Sequence, residues 1–166
     1  MRILIFSDNH GDIDSVKKII SKNKNAERVI SLGDSQMKEI ELNHLNIIGV
    51  KGNYLFEPPF PYELTFEFEG MNFLFTHGHL QGVKMGLTRL YNKAISKNID
   101  IVCFGHTHQP FLSKIDSLIM LNPGSLSDRR SINFPTYATV DIDEKLLEIN
   151  ILTLDGEKIQ SFKSKR

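Results

Sequence analysis

The chain has 166 residues, which fits one domain over residues 1–166 with a sizeable core and leaves little room for a second. Twenty basic and twenty acidic side chains cancel to a formal net charge of zero, which argues against a nucleic-acid coat or a membrane-surface binder, since both draw on a basic excess. Cys103, inside the apolar run Ile101-Val102-Cys103-Phe104, is the only cysteine, so an intrachain disulfide and a thiolate zinc lattice are excluded and a buried thiol is expected.

Ile3 to Phe6 reads as a short apolar strand. The polar Ser7-Asp8-Asn9-His10 interrupts it too soon for a signal peptide. No apolar stretch approaches the roughly 20 residues a membrane span needs, and the cytoplasm is the expected compartment. Asp12 caps a helix in which Ile13, Val16, Ile19 and Ile20 recur at helical spacing. Arg28 to Leu32 is a second strand, Ser35 to Leu42 a second helix and Asn46 to Val50 a third strand. This βαβαβ order predicts parallel strands with right-handed crossovers. Pro58, Pro59 and Pro61 interrupt the chain before a hairpin: Glu63 to Glu69 alternates with period two, Gly70-Met71 turns, and Asn72 to Thr76 returns. Leu87, Leu90, Tyr91, Ala94 and Ile95 mark one face of a third helix, and Asp100 to Phe104 is another buried strand. From Phe111 onward strands dominate: Leu118 to Leu121, Thr136 to Ile142, Lys145 to Leu152 and Lys158 to Phe162. The Lys163 to Arg166 tail is expected to fray into solvent. The pattern predicts an α+β fold, two sheets stacked face to face with helices outside.

Chemistry-bearing residues gather where the apolar runs end. The first ends in Asp8-Asn9-His10-Gly11, the second in Gly33-Asp34 and the third in Gly52-Asn53. The hairpin ends in His77-Gly78-His79 and the late strand in Gly105-His106-Thr107-His108. In open α/β sheets ligands collect outside the carboxyl ends of strands, so these groups can converge on one rim. Five of the six histidines fall in these segments; only His44, on an exposed helix, stands apart. Imidazole nitrogen, carboxylate and a weak Asn oxygen all suit a divalent cation, and one Asp can bridge two. Nitrogen and oxygen ligands without thiolate favour manganese, iron, cobalt, nickel or zinc over a structural zinc site. Two dications offset by Asp8, Asp34 and a hydroxide leave roughly one positive charge for an anionic substrate. Taken singly, Asp8-Asn9-His10, Gly33-Asp34 and Gly52-Asn53 read as ordinary turns, and the histidines as hydrogen-bonded strand ends. The ordered set of five outweighs these readings.

That set resembles the calcineurin-like metallophosphoesterases. Chain length and Asn122-Pro123-Gly124-Ser125 narrow the likeness to the small YfcE-type bacterial and archaeal phosphodiesterases, over Met1 to about Ile142. The resemblance implies a four-layer αββα sandwich of two mixed β-sheets flanked by helices. It implies a first metal held by Asp8, His10, Asp34 and His108, with Asp34 bridging to a second completed by Asn53, His77 and His106. Catalytic roles fall to Asp34, Asn53 and His79, and substrate contact to Asn53 and His79. His79 stands in the outer shell or near the phosphate, with plain loop packing an equal alternative. Asn122 to Ser125 shape the rim or only a tight turn. Arg129 and Arg130 are candidates to meet substrate phosphate or are simply solvated.

One departure matters. Larger relatives carry Gly-Asn-His and an acidic residue, small ones commonly cysteine and aspartate, whereas Tyr54 and Leu55 follow Gly52-Asn53 here. Tyr54 either donates a proton or packs, and without a strong general acid good leaving groups should be favoured. The expected function is hydrolysis of small phosphate diesters by a hydroxide bridging two divalent cations, manganese first, with nickel, zinc, iron and cobalt as alternatives. The alternative is a catalytically weak or inactive metal-binding scaffold for protein interaction, the role ascribed to a eukaryotic retromer subunit that resembles this family. All seven expected ligands are present, which ranks the scaffold second. A nuclease ranks third, because zero net charge and the lack of aromatic-basic interleaving count against a nucleic-acid partner. The expected partner is thus a small phosphate ester and not a membrane. Phe56, Phe60 and Phe134 mark either a homo-oligomer surface or core packing.

Overall fold

Alternation along the strands sorts apolar side chains onto both faces of each sheet, and this sets the layering. The computed structural model describes residues 1–127 and 134–166. In chain order the described elements are β1 (Arg2–Phe6), α1 (Ile13–Lys22), β2 (Arg28–Ser31), α2 (Glu39–His44), β3 (Ile47–Gly49), β4 (Glu63–Phe68) and β5 (Met71–Thr76). They continue with α3 (Thr88–Ser96), β6 (Ile101–Cys103), β7 (Pro110–Ile115), β8 (Leu118–Pro123), β9 (Thr136–Ile142), β10 (Leu146–Thr153) and β11 (Lys158–Lys165). One sheet has the order β11-β10-β9-β1-β2-β3 and the other β4-β5-β6-β8-β7. β1, β2 and β3 run parallel as the crossover pattern predicts, while β9 lies antiparallel to β1, with Val140 opposite Ile3. In the second sheet β5, β6 and β8 are parallel and β4 and β7 are antiparallel at the edges. Both sheets are therefore mixed.

Three apolar layers hold four layers of secondary structure together. Ile3 and Ile5 of β1 meet Phe73 and Phe75 of β5, Ile101 and Cys103 of β6 and Val140 of β9 between the sheets. Leu4 and Phe6, on the other face of β1, pack against Val16 and Ile19 of α1 and Leu42 of α2. Leu74, Val102 and Met120 turn outward to Leu90 and Ala94 of α3. Full burial of each such Ile, Leu or Phe contributes about 1.5–3 kcal/mol. The result is the αββα sandwich. Asp12 caps α1 as expected, its Oδ1 accepting from the Ser15 amide at 2.9 Å and its Oδ2 from the Ser15 hydroxyl at 2.7 Å.

Three local expectations are corrected. The second helix starts at Glu39, not Ser35, because Asp34 and Gln36 hold left-handed φ values of 49° and 53° that no α-helix accepts. It begins where the Lys38 amide donates to the Glu41 carboxylate at 2.8 Å. The tail does not fray: Lys163, Ser164 and Lys165 pair with Glu148, Leu147 and Leu146 of β10, and Phe162 packs on the inter-sheet core. In α3, Leu90 and Ala94 turn inward while Ile95 is 40% exposed, since the helix is short and its apolar face narrow. No helix among the described residues is long and apolar enough to cross a membrane.

Candidate metal centre

The parallel strands β1, β2, β3, β5 and β6 deliver their following loops to one rim. There the loops are stitched together through main chain. The Asp8 amide donates to Gly33 O at 3.0 Å, His10 to Asp34 O at 3.2 Å and Gly11 to Ser35 O at 2.8 Å. In the second sheet, the Gly105 amide donates to His77 O at 3.1 Å. Asp8, His10, Asp34, His106 and His108 all take left-handed φ, between 44° and 66°. Such conformations cost on the order of 1–3 kcal/mol each and persist only where surrounding bonds over-determine them. Two glycines permit the close approach of loops. A Cβ on Gly52 would lie 2.1 Å from Asp34 Oδ1, and one on Gly105 would lie 2.0 Å from Ser7 Oγ.

The seven candidate ligands form one continuous cluster. Asp8, His10 and His108 offer ligand atoms within 4.8 Å of one another, as do Asp8, Asp34 and His77, so Asp8 is common to both groups. Asp34 Oδ1 accepts from the Asn53 and Tyr54 amides at 2.8 and 2.9 Å, which aims Oδ2 at His77 Nε2, 3.7 Å away. His77 Nδ1 lies 2.7 Å from the Leu32 carbonyl, which can only accept. The proton of the neutral ring therefore sits on Nδ1, and Nε2 presents a lone pair to the centre. Asn53 Oδ1 and His106 Nδ1 lie 3.1 and 3.2 Å from that Nε2.

Electrostatics point the same way. Burial, then His77 and the Lys84 ammonium, push the His106 pKa down to about 4, so its imidazole is neutral near pH 7. Burial and His77 also hold His79 below its ordinary value. Burial opposes ionisation of Asp8, yet the adjoining His108 and His77 rings outweigh it and lower its pKa. Asp8 Oδ1 and His10 Nε2 are buried without a hydrogen-bond partner, and Asp8 Oδ1 lies 3.0 Å from His108 Nε2. Buried polar atoms that converge without hydrogen bonds are costly unless a cation joins them. The donor set fits a divalent metal.

The supporting residues were largely invisible in the sequence. Gln36 places its carboxamide 2.8 Å from His10 Nδ1. Ser7 Oγ and the His106 amide both donate to Asp8 Oδ2. Ser125 and Ser127 donate their hydroxyls to the Asp8 carbonyl at 2.9 and 3.1 Å. Asn122, fully buried, donates to Gly105 O and Thr107 Oγ1, both at 3.0 Å, and accepts from the Gly124 amide at 2.9 Å. The Asn122 to Ser125 segment thus braces the histidine loop beyond forming a turn. Glu57 carries a half-buried carboxyl whose pKa is raised by burial, and neither spacing nor motif marked it. His79 flanks the cluster, its ring 5.3 Å from His77 and 5.9 Å from Tyr62, with a buried Nδ1 that has no partner. The Tyr54 ring packs edge-on against Phe56 at 6.0 Å. Arg129 and Arg130 lie outside the described residues. His44 ends α2, exposed and away from the cluster.

Residues 1–145 match the calcineurin-like phosphoesterase superfamily domain. The chain is similar to the probable metallophosphoesterase YsnB of Bacillus subtilis, 31% identical over 170 residues covering 99% of this chain and 98% of that protein. It is 29% identical to a phosphodiesterase of Methanocaldococcus jannaschii, with 87% and 95% of the two chains covered. Among solved structures, a predicted phosphoesterase of Streptococcus pneumoniae superposes with a TM-score of 0.87 at 30% identity, covering 99% of this chain and 97% of that one. Vps29 of Entamoeba histolytica complexed with zinc shares the fold, with a TM-score of 0.80 at 22% identity over 99% of each chain. The motif order, the sandwich and these matches agree, and the chain belongs to the calcineurin-like phosphoesterase superfamily.

Proposed function

We propose that the chain is a phosphodiesterase that hydrolyses small phosphate diesters with two divalent cations. The observation that carries this reading is the convergence of Asp8 Oδ1 and His10 Nε2, ligand-type atoms buried without a hydrogen-bond partner. Asp8, His10, Asp34 and His108 would hold one cation, and Asp34, Asn53, His77 and His106 the other. Manganese is the first candidate, ahead of nickel, zinc, iron and cobalt. When bound, the cations supply the charge that stabilises phosphoryl oxygens in the transition state and bring the pKa of a water towards about 7.

The chain's own residues account for the rest. Two backbone amides fix one oxygen of Asp34 and leave the other to face His77. Asn53 sits at the open edge, its side chain shared between His77 and solvent, where a phosphate oxygen can reach it. His79 stands beside it as the group that meets the phosphate or the departing oxygen. Its lowered pKa keeps it neutral and hence a weak acid near pH 7. The Tyr54 ring rests edge-on against Phe56, and with no stronger acid following Asn53, esters with good leaving groups are the favoured substrates.

A second reading, a catalytically weak or inactive scaffold that binds a protein partner, is favoured by bare apolar side chains that follow Asn53 and His79. Leu55, Phe56 and Met85 are 80%, 76% and 94% exposed. One experiment separates the two. Metal-free protein is assayed on bis-p-nitrophenyl phosphate with and without manganese, beside His108→Ala and an oligonucleotide substrate. Manganese-dependent turnover of the small diester, lost in His108→Ala and poor on the oligonucleotide, is the expected result. Absence of turnover with any of the five metals would sink the enzyme reading and leave the scaffold.

A further inference from the structure

The loop after Asn53 turns back on itself, the Glu57 amide approaching Tyr54 O at 3.4 Å, and returns a carboxyl to the rear of the centre. Glu57 Oε1 accepts from the Gln36 backbone amide at 3.2 Å. Its Oε2 is buried without a hydrogen-bond partner. A buried carboxylate oxygen with no donor costs on the order of 1–3 kcal/mol or more, so a packing role alone would be served better by an apolar side chain. What the carboxyl does is add a second tie between two loops already joined by the bonds from the Asn53 and Tyr54 amides to Asp34. One carries Asp34 and Gln36, the other Gly52 and Asn53.

Gln36 is the link that matters. It sits in a left-handed conformation, φ 53°, that an unsupported loop would readily abandon. Its side chain lies 2.8 Å from His10 Nδ1. The carboxamide nitrogen faces Nδ1 and donates to it, which fixes the ring angle and leaves Nε2 turned toward Asp8. A carboxyl that pins the Gln36 backbone therefore pins the His10 ring angle.

We infer that Glu57 is a positioning residue that acts through Gln36 to hold His10 for cation binding. This rests on the metal-centre reading above and adds a residue that the ligand motifs do not contain. Glu57 touches neither cation nor substrate. Its carboxyl, delivered from the loop beyond Tyr54 and Leu55, braces the centre from behind.

The test is manganese binding to chelator-treated protein by titration calorimetry, with circular dichroism to confirm the fold. The proteins are the parent chain, Glu57→Ala, Glu57→Gln, Gln36→Ala and the double variant Glu57→Ala/Gln36→Ala. The parent should take up two manganese ions. Glu57→Ala should bind one of them about 10- to 100-fold more weakly, the range for losing a partner behind a metal ligand. Glu57→Gln keeps an acceptor for the Gln36 amide and should recover most of that loss. The double variant should be no weaker than the weaker single one, because both changes break one chain of contacts. Two parent-like affinities in Glu57→Ala would overturn the inference, and so would additive losses in the double variant. Should Glu57→Ala not fold, Gln36→Ala decides alone, and unchanged binding there overturns the route to His10. A parent chain that binds no manganese would overturn the inference together with the metal centre. Binding without diester hydrolysis would instead remove only the proposed activity.

Discussion

Asn122→Ala is the sharpest probe of how the centre is held. The side chain is fully buried and makes three hydrogen bonds: to Gly105 O and Thr107 Oγ1 at 3.0 Å each, and from the Gly124 amide at 2.9 Å. Truncation strands the Gly124 amide on a buried residue, whereas the Gly105 carbonyl keeps the Thr107 amide at 2.8 Å and Thr107 is half-exposed and open to water. At about 1–3 kcal/mol for one stranded buried group, the loss should be about 1–3 kcal/mol. Urea unfolding in chelator, compared with the parent, measures it directly. Lys158→Ala is the control, since its contact with Glu148 is an exposed ion pair at 3.3 Å and should change stability by less than about 0.5 kcal/mol. A second consequence follows from position. Gly105 immediately precedes His106, whose left-handed φ of 66° depends on the loop being held, so manganese affinity should fall at least tenfold. A stability loss indistinguishable from the control, with parent-like manganese binding, would refute the bracing role of Asn122.

Other outcomes follow from the same geometry. Gly52→Ala forces a methyl to 2.1 Å from Asp34 Oδ1, so it should cost about 1–3 kcal/mol and impair manganese binding, as unfolding and calorimetry would reveal. Burial pushes the Cys103 thiol well above its usual range, so a thiol reagent at pH 8 should label the native protein no faster than it unfolds, and fast labelling would contradict the packed inter-sheet layer. Manganese at 100 times its dissociation constant should stabilise the fold by about 2.7 kcal/mol per site, seen as a rise in Tm that chelator reverses. A Tm indifferent to manganese would argue against preformed sites.

Much of the architecture was legible because it is local. Alternation in Glu63 to Glu69, helical spacing in Ile13 to Ile20 and the apolar run at Ile101 each report which faces will be buried, whatever the partner. The ligand types were legible for a related reason. Carboxylate and imidazole at five strand ends carry their chemistry in their identity, and parallel strands put those ends on one rim. The length of the second helix was misjudged because composition favours a helix from Ser35, while contacts from Gly11 and Glu57 hold Ser35 and Gln36 out of it. The ordered tail escaped notice because a Lys-rich segment looks solvated until β10 offers it a partner and Phe162 a place in the core.

What the sequence determined by itself was the alternation of strand and helix, the parallel opening unit and the set of groups able to bind cations. Only the tertiary structure decided that β9 would lie antiparallel beside β1, that Asp8 would be common to both ligand groups, and that Asn122, Gln36 and Glu57 would brace them. The physical reason is distance along the chain. A side chain's own periodicity and chemistry are written at its position, but the partner of a buried hydrogen bond is chosen by how remote segments pack.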